Sequence, residues 1–223
     1  ERDGRVLIPA FAQGRTQEIV YVLNRHQQAG RIPGVPVYVD SPMATDATTI
    51  FRRHPNCFDA ETQAQLRRRD PFGFRGLRYV QSARESRALI ASDEPCIVIA
   101  GSGMAEGGRI RLHLQRFVGD PRSTVLFVGY QAENTLGRRL LDGATEVKIF
   151  GEPYKVAIQV DRADAFSAHA DRNELLAWAQ RIPRVGRAFC VHGDEAPATA
   201  LAAALSSHGI PASVPTVGQT EDM

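Results

Sequence analysis

Residues 96–117 read CIVIAGSGMAEGGRIRLHLQRF. An apolar run comes first, then a glycine-rich turn at residues 101–108, then Ile110, Leu114 and Phe117 at helical spacing. The run is too short for a helix and has no polar alternation, so it reads as a strand buried on both faces. The three later residues make one apolar stripe of an amphipathic helix. Strand, small turn and helix in immediate succession are the repeating unit of an α/β fold with a largely parallel sheet.

The same plan recurs on both sides of that stretch. RVLIPAFAQGRTQEIVYVLNRH (residues 5–26) predicts a strand over 6–8 and a helix over 16–26 with Ile19, Val22 and Leu23 on one face. VPVYVDSPMATDATTIFRRH predicts a strand over 35–39 and a helix from Ala44. STVLFVGYQAENTLGRRLLDG is a fourth unit, with Gly143 placed to end its helix. Between them ETQAQLRRRDPF reads as a surface helix without an evident function. After Gly143 the texture changes. EVKIFGEPYKVAIQV predicts two strands joined at residues 151–154, the second alternating Val156, Ile158 and Val160. A domain boundary is therefore expected near residues 141–145, dividing the chain into 1–143 and 144–223, the first ten or so residues being a connection.

Composition narrows the function classes. The 223 residues hold 27 basic and 25 acidic side chains, a net charge of +2, which neither demands nor excludes a nucleic-acid partner. Lys148 and Lys155 are the only lysines. An arginine-dominated set suits bidentate phosphate contacts, and it equally suits GC-rich coding. Three cysteines with no C-x-x-C spacing give neither a disulfide frame nor a thiolate zinc site. Cys96 and Cys190 lie in apolar runs and read as buried thiols of a reducing compartment, the cytoplasm. No apolar run approaches the roughly 18 residues of a membrane span, and nothing at the start reads as a signal peptide. The chain opens without Met, close to a strand, as if cut from something longer.

Two histidines stand where chemistry collects. In DAFSAHADRNELLAWAQ, Asp171 and Glu174 have capping-box spacing, and Leu175, Trp178 and Ile182 form one face of the helix they open. His169 therefore lies in the turn before a helix. RAFCV (187–191) predicts a strand, His192-Gly193-Asp194 follows it, and the next helix carries Pro197 in its first turn and ends at Gly209. In α/β sheets ligands bind outside the carboxyl ends of strands, so both imidazoles could share one rim, as metal ligand or proton carrier. Helix capping without chemistry is the alternative. The glycine turn could receive an anion at a helix N-terminus. It lacks the third glycine of G-x-G-x-x-G, since Glu106 stands there, and no P-loop or G-x-S-x-G elbow occurs. Ser41 sits at another strand end, where an ordinary Ser-Pro turn explains it equally.

IPAFAQGRTQE, VYVDSPMA, GSGM, GYQAENTLGRRLLDG, FSAHAD and VHGD occur in this order. Together they resemble the β-CASP family of metallo-β-lactamase-fold nucleases, which process RNA. The resemblance implies an α/β cap with a parallel sheet and flanking helices, followed by the C-terminal part of a metallo-β-lactamase αββα fold. It assigns His169 to proton transfer or phosphate stabilisation at the scissile phosphate and His192 to zinc. It assigns Ser102, Gly103 and Met104 to substrate phosphate, with Arg15 and Ser41 as weaker contacts and Asp171 behind His169. It implies two zinc ions in the complete enzyme, held mainly by an H-x-H-x-D-H motif. No two of the six histidines here are spaced H-x-H. This chain would supply only part of the ligand set and, by itself, would be inactive. Expected partners are single-stranded RNA, the absent N-terminal metallo-β-lactamase half and a second copy in a homodimer, with no membrane. A non-catalytic RNA-binding module and a Rossmann-like nucleotide-binding enzyme are the alternatives.

Overall fold

The computed structural model describes residues 3–167 and 169–220. The chain divides into two compact units between Ser167 and Ala168. Residues 141–145, where the sequence changes texture, instead precede an antiparallel hairpin of the first unit.

The first unit runs β1 (Val6–Pro9), α1 (Arg15–Gln28), β2 (Val37–Val39), α2 (Pro42–Arg53), α3 (Ala60–Leu66), β3 (Leu77–Tyr79), α4 (Ala83–Ala91), β4 (Ile97–Ala100), α5 (Ile110–Phe117), β5 (Thr124–Phe127), α6 (Leu136–Leu141), β6 (Glu146–Ile149), β7 (Glu152–Lys155) and β8 (Gln159–Arg162). Its main sheet has the order β3-β2-β4-β1-β5-β8, every pair parallel. Successive strand residues feed opposite faces. Leu7, Val98 and Ala100 join α5 and α6 residues in one core cluster, and Ile8, Ile99, Val37 and Val39 join α1 residues in the other. Burial on both faces explains why the strands read as unbroken apolar runs. As expected, Ile110, Leu114 and Phe117 are buried.

Local chemistry moves several boundaries. Helix α2 starts at Pro42, not Ala44, because Ser41 accepts from the Ala44 N–H and Pro42 fits the first turn. Strand β2 is confined to Val37–Val39, since Pro36 has no N–H for the ladder. The polar stretch is helical only over α3, capped by Asp59. The two strands expected after Gly143 are three. Phe150 (φ 54°) and Gly151 (φ 90°) make a tight hairpin between β6 and β7. The Val118 carbonyl then takes both the Ala157 and Ile158 N–H groups, and β8 pairs with β5 in the main sheet. Arg5 is 2% exposed; it donates to the Leu89 and Ser92 carbonyls and covers the Phe117 ring at 4.5 Å.

The second unit runs α7 (Arg172–Gln180), β9 (Ala188–Phe189), α8 (Glu195–Ser207) and β10 (Ala212–Ser213), with β9 and β10 parallel. The strand expected over 187–191 shrinks to β9 because its partner is equally short. Leu176, Ala179, Cys190, Ala202 and Leu205 form the core. The face expected to be buried on α7 is turned outward: Trp178 is 65% exposed, and Leu175 and Ile182 are exposed too. Leu176 and Ala179 face α8 instead. Cys96 and Cys190 are buried free thiols and Cys57 is exposed. Among the described residues no helix is long and apolar enough to cross a membrane.

Candidate active site

The chain leaves β1 toward β2 on one side and β4 toward β5 on the other, so the sheet reverses direction between the neighbours β1 and β4. Such a switch point opens a crevice outside the carboxyl strand ends. The loops flanking it are those that begin α1 and α5. They touch: a Cβ on Gly103 would lie 2.7 Å from the Phe11 ring, and one on Gly101 would lie 3.7 Å from the Ala10 carbonyl oxygen.

The glycine turn is closed by its own polar groups. The Ser102 N–H donates to the Gly107 carbonyl at 2.9 Å, and the Gly107 N–H donates back to Ser102 Oγ at 3.1 Å. The Gly101 carbonyl accepts from Ile110 N–H, the first residue of α5. Gly108 has φ 68°, and a Cβ there would sit 2.2 Å from the Gly101 oxygen, so only glycine closes this turn. Gln131 donates to the Gly103 carbonyl, and Glu106 accepts from the Leu136 N–H at the start of α6. Ser102 thus shapes the turn and keeps its hydroxyl proton to donate. Gly103 is buried, and Met104 is half-buried. Ser41 caps α2, and Arg15 pairs with Glu18 at 2.7 Å and lies 5.8 Å from the centroid of Phe166.

Sequence reasoning missed the group beneath this rim. Asp40, at the end of β2, is 0% exposed. Its Oδ1 accepts from Arg109 Nη1 at 2.7 Å, and its Oδ2 accepts from Ser86 Oγ at 2.7 Å. His113 Nε2, on a ring that is also 0% exposed, lies 2.8 Å from Oδ2 and donates to it. Burial alone would raise the Asp40 carboxyl. The hydrogen bonds from His113, Ser86 and Arg109 outweigh it and hold the group below its ordinary value. Arg109 also donates to the Val80 and Gln81 carbonyls. The ends of β2 and β3 are thereby tied to the residue that follows the glycine turn. The only sequence signal was a histidine inside the apolar stripe of α5.

In the second unit Asp171 caps α7 as read: its Oδ1 accepts from the Asn173 and Glu174 N–H groups, and Glu174 accepts from the Asp171 N–H. His169 is exposed in the segment just before this helix. His192 is exposed after β9 with φ 74°, followed by Gly193 at φ 113°. A non-glycine residue in the left-handed region carries strain of order 1–3 kcal/mol, which clusters at functional sites. His192 lines a cavity of about 380 Å³ together with Arg172, Leu175, Cys190 and Leu201. Zinc needs about three protein ligands, and no group of three or more His, Cys, Asp or Glu among the described residues could hold a metal ion. The residues present do not complete a zinc site.

Residues 16–140 match the Beta-Casp domain model, and residues 153–215 match the model described as Zn-dependent metallo-hydrolase RNA specificity domain. The chain is 41% identical over 217 residues to Ribonuclease TTHA0252 of Thermus thermophilus, covering 97% of this chain and 49% of that protein. It is 38% identical to the transcription termination factor FttA of Methanosarcina mazei, covering 87% of this chain and 32% of that protein. It is 35% identical to an RNase J-like protein of Methanocaldococcus jannaschii, covering 87% and 44%. The chain spans half or less of the length of these relatives. A Beta-Casp match over more than half of the residues, on a parallel sheet with a glycine turn at its switch point, makes this chain a member of the β-CASP family of metallo-β-lactamase-fold nucleases.

Proposed function

We propose that the protein containing this chain hydrolyses RNA with zinc, and that these residues supply the cap and part of its active site. The observation that carries the reading is where the two histidines fall. Both lie within residues 153–215, matched to the RNA specificity domain, and one is held on left-handed backbone. In this reading His169 gives a proton to the leaving oxygen as the phosphodiester P–O bond breaks, or neutralises its charge. His192 is one zinc ligand, and the rest of the ligand set lies outside these residues. Ser102, Gly103, Met104, Arg15 and Ser41 face the substrate phosphates from the carboxyl edge of the sheet. The second reading is a non-catalytic RNA-binding module, in which the residues matched to the RNA specificity domain hold RNA without cleaving it.

One experiment separates the two. In the full-length protein, His192→Ala is expected to lose bound zinc, measured by mass spectrometry, and to lose RNA cleavage. His169→Ala is expected to keep its zinc and lose turnover by at least about 100-fold. Absence of both zinc and cleavage in the wild type would establish the binding-module reading, and equal zinc loss in both variants would remove His169 from its role.

A further inference from the structure

The amino edge of the main sheet carries a charge cluster that the proposed chemistry does not use. Helix α1 starts beside the carboxyl end of β1, and its fourteen residues carry the chain about 21 Å back across the sheet. Its last turn therefore lies at the edge opposite the glycine turn. The loop that follows α3 is tied to that turn: Asn24 Nδ2 donates to the carbonyls of Asp70 and Pro71 at 3.2 and 3.0 Å. Gln27 donates to the Arg75 carbonyl at 3.1 Å, and Arg52, at the end of α2, pairs with Asp70 at 2.8 Å. These bonds gather Arg31, Arg53, Arg67, Arg68, Arg69 and Arg75 on one edge, all exposed.

None of these six forms an ion pair with a carboxylate among the described residues. The nearby acids are already engaged, Asp70 by Arg52 and Glu61 by Arg25 at 3.4 Å. Two concave surfaces flank the end of α1. One, of about 320 Å³, is lined by Asn24, Gln28, Gln65, Arg68, Arg69 and Pro71, together with Asp70, whose carboxylate is paired with Arg52. The other, of about 270 Å³, is lined by Arg25, His26 and Arg31. Arg25 and His26 complement the C-terminal dipole of α1, and Arg67, the C-cap of α3, does the same for its helix. Arg68 and Arg69 lie beyond that cap, exposed and without a carboxylate partner among the described residues. Guanidinium forks and amides in adjacent hollows suit several phosphates in a row better than one small anion.

We propose that this edge is a second RNA-binding surface, which holds the sugar-phosphate backbone of a single strand away from the cleavage site. The inference rests on the reading of this protein as one that acts on RNA. It makes binding depend on strand length, because a short oligonucleotide at the carboxyl edge does not reach the amino edge.

The test measures binding of the full-length protein to RNAs of about 4 and about 30 nucleotides over a range of salt. The double variant Arg68→Glu/Arg69→Glu is expected to bind the long RNA at least about tenfold more weakly. Neutral Arg68→Gln/Arg69→Gln is expected to make the slope of log affinity against log salt shallower by about 1.4, the value for two lost single-strand phosphate contacts. Both variants are expected to bind the short RNA and to melt as the wild type does. A wild type that binds neither RNA would overturn the RNA reading itself. A wild type that binds long RNA with variants of unchanged affinity and slope would overturn only the second surface, and would leave these arginines to an acidic protein partner.

Discussion

Asp40 shows how one residue can organise a site that it does not line. Its carboxylate is buried behind Ser41 and receives Ser86 from α4 and Arg109 and His113 from the first turn of α5. Breaking a buried ionic cluster by removing one partner is worse than never building it, because the remaining charge keeps its desolvation cost. Asp40→Ala is expected to destabilise the first unit by about 3 kcal/mol or more, read as the shift in urea midpoint. The acid response follows from the depressed carboxyl. Its folded value lies below the ordinary 3.8, so its stabilisation is complete above that pH and lost as pH falls through the folded value. The gap between wild type and Asp40→Asn is therefore expected to be wide at neutral pH and to close as the pH falls below 3.8 and through the depressed folded value. A gap that stays constant with pH would mean that Asp40 is not the charged centre of the cluster. His113 lies 73 residues from Asp40, and a contact of that range leaves no trace in local periodicity.

At the scale of elements, two glycines that the sequence treats alike differ in what surrounds them. Gly143 ends α6 at φ 81° with open space where a Cβ would stand, and its N–H and that of Ala144 satisfy the carbonyls of Leu140 and Arg139. Gly143→Ala is expected to cost about 1 kcal/mol, the price of the left-handed backbone alone. Gly108 meets the Gly101 carbonyl in addition, so Gly108→Ala is expected to cost clearly more than Gly143→Ala and to weaken RNA binding as the turn opens. Equal costs in urea melts would show that the turn has room to relax. This contrast explains what was legible. Strand β4, the stripe of α5, the Asp171 capping box and the stop at Gly143 were readable because local chemistry and tertiary packing agree there. The ends of β2 and β9 were not, because a partner strand or a neighbouring proline sets them. The alternation of Val156, Ile158 and Val160 misled because Val118 bends the chain out of one sheet and into another. The histidines were legible as residues at a helix start and a strand exit, whereas the left-handed backbone of His192 had no sequence signal beyond the glycine after it.

For the molecule as a whole, the outward face of α7 is the feature that the chain alone leaves unexplained. Leu175, Trp178 and Ile182 recur at helical spacing, the pattern of a helix that buries a stripe, yet all three are exposed here. The chain spans 49% of the length of its Thermus relative, and on the reading proposed above, in which these residues are one part of the site, the expectation to test is that this face is covered from outside them. Trp178 is the only tryptophan in the chain, and burying such a ring contributes on the order of 2–3 kcal/mol. Trp178→Asp is therefore expected to lower the melting temperature of the full-length protein by several degrees, as a change of about 2 kcal/mol does. In the 223-residue chain alone the same substitution is expected to leave melting nearly unchanged, because water already reaches the ring. Leu176→Ala, which removes a side chain packed among Ala179, Ala202 and Leu205, is expected to destabilise both forms by about 2–5 kcal/mol and so confirms that the assay reports on this unit. A Trp178→Asp effect of equal size in both forms would mean that the face is covered within the chain itself; no effect in either would mean that it faces water in the complete protein as well.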